Sequence, residues 1–301
     1  MSVLVVGAVN RDLVIRVPRI AAPGETVIAG GSGGGAGGKG GNQAVAVARL
    51  GGRCALVARV GADFDPATLP GVDAARVRRD ATEPTGLAVV LVDDAGENAI
   101  TVVPGANARL TPADIGPLDG PGVVLASLEV PLEAVAEAAR RARAAGRVFV
   151  LNPAPARALP AGLLALVDVL VPNQHELAGL GPPAALLDAG VGAVVVTMGG
   201  AGCRIHRRTG TLDVPGYRVA ALDTTGAGDA FCGALAWALD AGRPLDDAVR
   251  LAAAAGALAT RAVGARAALP TAAEIAALMS QSCATAPPAG HPAERSATLE
   301  A

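Results

Sequence analysis

The acidic residue Asp229 ends a short glycine-bearing run, DTTGAGD, that leads directly into an apolar stretch with helical spacing. At the start of such a helix, the backbone N–H groups of Gly226, Ala227 and Gly228 could converge with the positive end of the helix dipole and bind an anion. A carboxylate in the first helical turn can either cap free N–H groups or accept a proton from a bound hydroxyl. Because the G-x-G-D pattern is short, the residues alone leave both roles of Asp229 open.

The only lysine of the chain, Lys39, lies in a second glycine-rich segment, GSGGGAGGKGGNQ. Glycines allow a backbone to approach a ligand closely, although those before Gly37 could equally form a flexible linker. We expect a helix to begin near Asn42 or Gln43, so that Lys39 and Asn42 present hydrogen-bond donors suited to sugar hydroxyls. The segment matches neither a phosphate-binding P-loop nor the glycine fingerprint of a dinucleotide fold, which argues against a nicotinamide-dependent dehydrogenase.

A third candidate site lies in VLVPNQHELAGL, where Asn173 and Glu176 are three residues apart and hence on one face of a predicted helix. Asparagine is a common helix cap, which is one interpretation of this pair. The other is that the pair orders water around a phosphate-bound magnesium ion, which keeps several waters when protein ligands are few. All three sites follow predicted strands, so we expect them to converge in the crevice where doubly wound sheets bind ligands.

Short continuous apolar runs recur along the chain and end in glycine, asparagine or proline turns, as expected for parallel strands buried on both faces. These runs are SVLVVG, CALVARV, GVVLASL, RVFVLN, DVLVP and GAVVVTMGG. Apolar helical stretches such as PLEAVAEAARRARAAG lie between several of them. The alternation predicts an α/β fold with a doubly wound, mostly parallel sheet flanked by helices.

Residues 11–30 and 86–103 depart from this alternation, because they contain short β-prone segments around turn signals. Such segments are typical of antiparallel hairpins. We place both in a small antiparallel β-sheet that forms a lid over the mouth of the main domain and excludes water from a reacting phosphate. The alternative is an ordinary edge extension of the main sheet.

The C-terminal part holds two alanine-rich stretches, AGDAFCGALAWALDAG and LDDAVRLAAAAGALATRAVGA. They predict two closely packed helices, each ended by glycine. A chain of 301 residues that is 51% hydrophobic can bury one large core, so we expect a single domain over residues 1–280. Residues 281–301 lack apolar periodicity and are predicted to be a disordered tail.

The overall composition narrows the partners and the compartment. A formal net charge of -2 provides no basic field for nucleic acid. No apolar stretch near the N-terminus reaches signal-peptide length, and charges or glycines interrupt every long apolar stretch. The four cysteines are far apart and lack a C-x-x-C pair, which favours reduced, buried thiols. We therefore expect a soluble, cytoplasmic protein that binds neither nucleic acid nor membrane.

Over roughly residues 3–270, a series of motifs resembles in kind and order those of the ribokinase-like group of PfkB-type carbohydrate kinases. The motifs are GAVNRD, APGETV, GGKGGNQA, GENAI, GANA, SLEVPLE, LNPAPAR, PNQHE, TMGGAG and DTTGAGDAF. The resemblance implies ATP-dependent phosphorylation of D-ribose at its primary O5 hydroxyl, with D-ribose 5-phosphate as product. A related kinase of another sugar or nucleoside, or a non-catalytic sugar-binding homologue, are the alternatives. The resemblance also implies Mg²⁺, a monovalent cation activator, usually K⁺, and a homodimer formed through the lid.

The same resemblance implies a role for each matching residue. Asp229 would be the catalytic base, and the N–H groups of Gly226, Ala227 and Gly228 would stabilise charge on the transferring phosphoryl group. Sugar hydroxyls would be bound by Asn10, Asp12, Gly38, Lys39, Asn42, Glu129 and Asp229. The nucleotide side would comprise Asn173, Glu176, Thr197, Gly199 and Gly202, with Glu176 reaching magnesium through water. Asp223 and Thr225 match the positions that bind the monovalent cation.

The chain departs from the family pattern in three places. Ala253 stands where the family usually has asparagine or histidine near the adenine, which leaves nucleotide preference open. Segments 61–85 and 173–197 are each shorter than usual and lack part of a helix. The loop before Lys39 is unusually rich in glycine.

Overall fold

The computed structural model describes residues 2–119 and 122–284. Within these ranges, the chain forms a nine-stranded sheet and a separate four-stranded sheet. The large sheet is mostly parallel and carries hydrophobic cores on both faces, which confirms the predicted α/β fold. The boundary of the predicted domain at residue 280 stays a prediction.

All six apolar runs predicted as strands are strands of the large sheet. In chain order the strands are β1 (Val3–Val6), β2 (Asn10–Arg16), β3 (Gly31–Gly37), β4 (Cys54–Val60), β5 (Val77–Arg79), β6 (Gly86–Val92), β7 (Asn98–Val103), β8 (Val123–Ser127), β9 (Val148–Asn152), β10 (Val169–Leu170), β11 (Ala193–Thr197), β12 (Gly202–Arg207) and β13 (Gly210–Pro215). The large sheet has the order β13-β12-β11-β10-β9-β8-β1-β4-β5, in which the β11–β12 and β12–β13 pairings are antiparallel and the other pairings are parallel.

Helices cover both faces of this sheet. They are α1 (Lys39–Arg49), α2 (Pro112–Ile115), α3 (Leu132–Ala144), α4 (Ala161–Leu164), α5 (Gln174–Leu180), α6 (Pro183–Asp188), α7 (Ala227–Asp240), α8 (Leu245–Ala259) and α9 (Ala272–Ala284). Alternate residues of β1 show the two layers, because Val5 packs in the core with Leu235 of α7, whereas Val6 packs in the core with Ala138 of α3. Both layers are buried, so ligands can reach the sheet only at its edges and at the strand ends.

The small sheet has the order β3-β2-β6-β7 and is not hydrogen-bonded to the large sheet. The prediction of a separate small sheet is therefore confirmed over the alternative of an edge extension, and its action as a lid stays a prediction. The prediction that the lid is wholly antiparallel was wrong in one pairing: β2–β3 and β6–β7 are antiparallel, but the central β2–β6 pair is parallel. A parallel pair is possible because β2 and β6 are far apart in sequence, so no tight turn has to join them.

The second half of the predicted lid segment 11–30 is not a strand. Residues 17–30 are irregular. The partner of β2 is instead β3, a glycine-rich segment for which a loop or linker is predicted from its composition. Glycine has low intrinsic strand propensity, but seven paired residues along β2 supply the backbone hydrogen bonds that override it. An added Cβ at Gly37 would lie 2.0 Å from Oδ1 of Asp12, so any larger residue there would displace the Asp12 carboxylate.

Helix α1 begins at Lys39, three residues before the predicted start at Asn42. Its first turn contains Gly40 and Gly41, which are poor helix formers in isolation. Tertiary packing explains the earlier start, because a Cβ on Gly40 would lie 2.5 Å from the carbonyl carbon of Gly7 at the end of β1. Only glycine allows the helix N-terminus to approach the strand so closely.

The C-terminal helices α7 and α8 pack against each other as predicted. Helix α8 ends at Ala259 with Thr260 as its C-terminal cap, so the prediction that it runs on to a glycine was wrong. Helix α9 continues to Ala284, which places residues 281–284 in a helix and not in the predicted tail. Residues 285–301 of that prediction lie outside the described residues.

In the part of the chain that the structure describes, no helix combines the length and the apolar character needed to cross a bilayer. Cys54, Cys203 and Cys232 are free and buried, in agreement with the predicted state of the thiols. Burial raises the pKa of Cys54 and of Cys203 to about 12.

Candidate active site

Two adjoining cavities open beside the carboxyl ends of the central strands, and Lys39 lines both. The inner cavity, of about 200 Å³, is bordered by Asn152, Glu176, Gly228 and Asp229. The lid cavity, of about 440 Å³, is bordered by residues that include Asn10, Asn107, Glu129 and, from lid strand β7, Val102. A third cavity, of about 580 Å³, lies among Leu177, Val196 and Met198 and contains none of the predicted site residues.

The carboxylate of Asp229 is buried, with 5% of the residue exposed, and turns towards helix α1. Its Oδ2 accepts a hydrogen bond from Nδ2 of Asn42 at 2.8 Å, and its Oδ1 accepts one from Nε2 of Gln43 at 3.2 Å. The N-terminal cap of α7 is Gly226, in the left-handed conformation with φ of 79°. These contacts favour the second interpretation of Asp229, as a positioned base, over the interpretation of a helix cap.

Lys39 is a half-buried cation near three acids. The negative charge of Asp229 raises the pKa of Lys39 against the opposing effect of burial, and Glu129 and Glu176 add to the rise. The backbone N–H of Lys39 donates to Oε2 of Glu129 at 2.7 Å. Burial raises the pKa of Glu129 to about 7, although the positive charge of Lys39 opposes this effect. The site can therefore hold Glu129 in either protonation state near neutral pH.

On the lid side, Asn10 and Asp12 extend from β2 towards the site. Asn10 is 4% exposed, and its Oδ1 accepts a hydrogen bond from Nδ2 of Asn107 at 2.8 Å. Oδ1 of Asp12 is buried without a hydrogen-bond partner. Burial raises the pKa of Asp12, while the charge of Arg266 lowers it and that of Asp229 raises it further. A buried carboxylate oxygen without a donor suits a ligand that brings hydroxyl groups.

The start of α7 is arranged as a partial anion site. Gly226 and Gly228 line the inner cavity, and a Cβ on Gly228 would meet only open space. The third predicted donor, the N–H of Ala227, already points to the carbonyl of Thr224 at 3.2 Å, which is a long bond within the turn. The α7 dipole and the cavity-lining glycines together fit a phosphate group.

Asp223 and Thr225 form a tight turn just before α7. Oδ1 of Asp223 accepts from the N–H of Thr225 at 2.8 Å and from its hydroxyl at 2.6 Å, and Oδ2 accepts from the N–H of Gly264 at 2.8 Å. Burial opposes ionisation of Asp223, but these hydrogen bonds outweigh burial and lower its pKa. Among the described residues, no cluster of three or more histidine, cysteine, aspartate or glutamate side chains could hold a metal ion.

Asn173 and Glu176 cap α5 reciprocally, with each side chain accepting from the backbone N–H of the other at 2.8 Å. The capping interpretation is therefore correct, and both residues also line the inner cavity. The cap engages Oε2 of Glu176, so its Oε1 remains available as a hydrogen-bond acceptor. The shortened segment 173–197 still carries α5 and α6, and the motif at its start is intact.

The remaining nucleotide-side residues lie around the turn from β11 to β12. Thr197 ends β11, forms an isolated bridge with Asn173 and lines the inner cavity. Gly199 and Gly202 bound a single 3₁₀ turn, with φ of 57° and 95° respectively, a backbone region that favours glycine. Ala253, which stands where the family usually has asparagine or histidine near the adenine, is partly buried against the core.

Four site residues were missed by the sequence analysis. Gln43 is fully buried and bridges Asp229 to Oδ1 of Asn152. Asn107 orients Asn10 by a hydrogen bond. Nε of Arg266 donates to Oδ1 of Asn42 at 2.7 Å. Asparagine is rare in this chain, with six residues, and this rarity marks Asn107 and Asn152 in the sequence, although no role is predicted for either. No signal marks Arg266, because it is one arginine among many and lies in an unremarkable loop.

A doubly wound α/β sheet with a separate small sheet, and a buried carboxylate beside the N-terminus of α7, are typical of a phosphotransferase that acts on an alcohol group. The chain belongs to the pfkB family of carbohydrate kinases, whose family model matches residues 1–272.

Within that family the chain is similar to ribokinases. It is 34% identical to the ribokinase of Haemophilus influenzae over 90% of this chain and 95% of that protein. It is 35% identical to the ribokinase of Bacillus subtilis over 93% of this chain and 99% of that protein. The structure of Arabidopsis thaliana ribokinase, complexed with ribose and ATP, superposes with a TM-score of 0.84 at 30% identity, covering 92% of this chain and 98% of that chain. The protein is thus a sugar kinase of the ribokinase family.

The raised pKa of Glu129 predicts a pH dependence of stability. Its ordinary value is 4.5 and its value in the folded protein is about 7, so the folded protein binds more protons than the unfolded chain between these pH values. The free energy of unfolding should therefore be highest below the lower pKa and fall as the pH rises through the upper one. Glu129→Gln, whose side-chain carbonyl can still accept the Lys39 N–H, should lack this fall, which amounts to at most about 3 kcal/mol.

Urea unfolding of both proteins at several pH values between 4 and 8 measures the effect. Glu133→Gln, at an exposed position on α3, is the matched control and should keep the pH dependence of the unmodified protein. An unchanged pH dependence in Glu129→Gln would contradict the assignment.

Proposed function

We propose that this kinase uses ATP to phosphorylate D-ribose at its O5 hydroxyl, giving D-ribose 5-phosphate and ADP. The observation that carries the proposal is the hydrogen-bonded carboxylate of Asp229 at the inner cavity, next to the lysine that lines both cavities. The ribose and ATP bound in the similar Arabidopsis thaliana protein support the choice of both substrates.

In the proposed reaction, ribose occupies the lid cavity and the ATP phosphates occupy the inner cavity. Asp229 accepts the proton of the O5 hydroxyl while O5 bonds to the γ-phosphorus, and the bond from that phosphorus to the bridging oxygen of ADP breaks. The glycines at the start of α7 stabilise charge on the transferring group, with Gly226 and Gly228 better placed than Ala227. Lys39 can donate to a sugar hydroxyl on one side and to a phosphate oxygen on the other.

The other hydroxyl groups of the sugar are assigned to the acids and amides of the lid cavity. Asn10 and Glu129 line this cavity, and Asp12 supplies a buried oxygen that lacks a donor. Gly38, the cap of α1 with φ of 81°, keeps the backbone close to the sugar. Asn42 has only one amide hydrogen left for the sugar, because its Oδ1 and one Nδ2 hydrogen are already engaged.

Residues at the inner cavity are assigned to magnesium, and Asp223 and Thr225, just before α7, are assigned to a monovalent cation. Magnesium would neutralise charge on the ATP phosphates, and Glu176 would orient its water ligands through Oε1. Oδ1 of Asn173, which already accepts one hydrogen bond in the cap, would use its second lone pair for a water. Asp223, which is held ionised, and Thr225 would contribute to a site for potassium beside α7. Thr197, Gly199 and Gly202 would border the nucleotide.

Substrate preference is the first test. In a coupled assay of ADP release over ribose, 2-deoxyribose, fructose, adenosine and inosine, ribose should give the highest kcat/KM, and potassium should raise kcat. A higher value for another sugar or for a nucleoside would replace ribose with that substrate, and equal rates with and without potassium would remove the cation from the proposal. Parallel use of ATP and GTP would show whether Ala253 relaxes nucleotide preference.

Asp229→Asn tests the base. The substitution preserves size but removes the proton acceptor, so kcat should fall by about a thousandfold or more. Ribose binding, measured by calorimetry, should remain detectable, because the amide still fills the space between α1 and α7. If the unmodified enzyme is active, equal turnover in Asp229→Asn would contradict the mechanism. If the unmodified protein is itself inactive, the alternative of a non-catalytic homologue is restored.

We further propose that two copies pair through their lids. Pairing register puts Val14, Val90 and Ile100 on the face of the small sheet that carries Asp12, and Leu13 and Val103 on the other face. Both faces are thus apolar, and several of these side chains are exposed: Leu13 is 37%, Ile100 59% and Val103 50% exposed. Exposed apolar side chains on a small sheet are typical of an interface.

Ile100→Glu should therefore shift the protein from dimer to monomer, which light scattering coupled to gel filtration measures. Leu222→Glu, at a position that is 72% exposed but outside the lid, is the control and should leave the molar mass unchanged. A monomeric unmodified protein, or an Ile100→Glu variant that stays dimeric at micromolar concentration, would contradict pairing through the lid.

A further inference from the structure

Arg266 connects three separate elements around the N-terminus of α1. Its Nε donates to Oδ1 of Asn42 at 2.7 Å, its Nη2 donates to the carbonyl of Gly37 at 3.1 Å, and its Nη1 donates to the carbonyl of Thr68. The same guanidinium lies against the backbone of α1, because a Cβ on Gly41 would be 2.5 Å from Nη2. Burial lowers the pKa of Arg266 to about 10, while Asp12 and Asp229 oppose this effect, so the group stays protonated at neutral pH.

The contact with Arg266 determines which way the amide of Asn42 points. An arginine can only donate, so it requires the oxygen of the amide, and the nitrogen is then directed to Oδ2 of Asp229 at 2.8 Å. The opposite orientation would set the amide oxygen against the carboxylate and the amide nitrogen against the guanidinium. Both contacts would then be repulsive, so Arg266 locks the donor end of Asn42 onto the carboxylate.

The second oxygen of Asp229 is anchored in a similar way from the same helix. Nε2 of Gln43 donates to Oδ1 of Asp229 and to Oδ1 of Asn152, each at 3.2 Å. Nδ2 of Asn152 in turn donates to the carbonyl of Val171 at 3.1 Å. Both carboxylate oxygens are therefore held by amides, and the shorter of the two bonds depends on Arg266.

We propose that Arg266 is a positioning residue for the catalytic base: it acts through Asn42 to hold the Asp229 carboxylate in line with the attacking hydroxyl. The proposal rests on the proposed role of Asp229. Arg266 contacts neither of the two cavities, so its effect is on orientation and not on substrate contact. A base that is displaced by about 1 Å can lose a hundredfold in rate, which makes such support effective.

Arg266→Met removes the guanidinium while keeping an unbranched chain of similar reach. We expect kcat to fall by roughly 10- to 100-fold, with the KM for ATP changed less than about twofold. Arg76→Met is the matched control, because Arg76 also joins elements by donating to two backbone carbonyls, those of Ile115 and Pro117, away from the site. It should lose stability without losing kcat per folded molecule.

Arg266→Lys keeps the charge but cannot reproduce the guanidinium fork that reaches all three partners. It provides a second test in case the methionine variant does not fold. Its kcat should fall by at least about threefold at an unchanged folded fraction, measured by circular dichroism at the assay temperature. A wild-type kcat in either folded Arg266 variant would overturn the proposal, because a merely structural arginine lowers the folded fraction and not the turnover of folded enzyme.

A double-mutant cycle tests the route through Asn42. Asn42→Leu removes the amide, so adding Arg266→Met to it should reduce kcat by less than about twofold further. If the two losses multiply, Arg266 acts independently of Asn42 and the relay is wrong. Asp229→Asn separates the two proposals: if it is inactive while Arg266→Met has normal kcat, only the relay fails, and if it is fully active, the base assignment and the relay both fail.

Discussion

The close approach of helices α1 and α7 is the constraint on which the site depends. At the crossing, a Cβ on Gly233 of α7 would lie 2.7 Å from the Cβ of Ala46 and 2.8 Å from the carbonyl oxygen of Gln43 in α1. Glycine at this position lets the two backbones approach until the amides of Asn42 and Gln43 reach the carboxylate of Asp229. A larger residue would separate the helices and pull the base away from its donors. The small size of Gly233 thus determines whether the amide donors of α1 reach the Asp229 carboxylate.

Charge balance follows from the same packing. Asp12, Glu129 and Asp229 are gathered with two cations, Lys39 and Arg266, so negative groups outnumber positive ones at the site. Burial and mutual repulsion raise the pKa values of Asp12 and Glu129, and the charges of the acids raise that of Lys39. A sugar brings hydroxyl donors that satisfy carboxylate oxygens without adding charge, and the anionic phosphates lie on the side where α7 presents its N-terminus. Electrostatics therefore explains why the sugar is assigned to the lid cavity and the phosphates to the inner cavity.

Local pattern predicted most of the large sheet and the main helices, because each buried strand is a continuous apolar run and each helix has its own periodicity. It failed where tertiary contacts override propensity. Strand β3 is glycine-rich and resembles a linker, yet pairing with β2 makes it a strand. Helix α1 begins three residues early because Gly40 can lie against β1. The parallel pairing of β2 with β6 joins segments about 75 residues apart, which no local pattern encodes.

The sequence by itself determined the class of fold and the motif order. It also marked Lys39, Asn42, Glu176 and Asp229 as candidates for the chemistry, because these stand in short motifs at the ends of predicted elements. Only the tertiary structure decided that Asp229 faces α1 instead of capping its own helix, and that Gln43 and Arg266 belong to the site. The physical reason is distance along the chain: Arg266 is separated from Asn42 by 224 residues, and a hydrogen bond over that separation exists only after the sheet and its helices have packed.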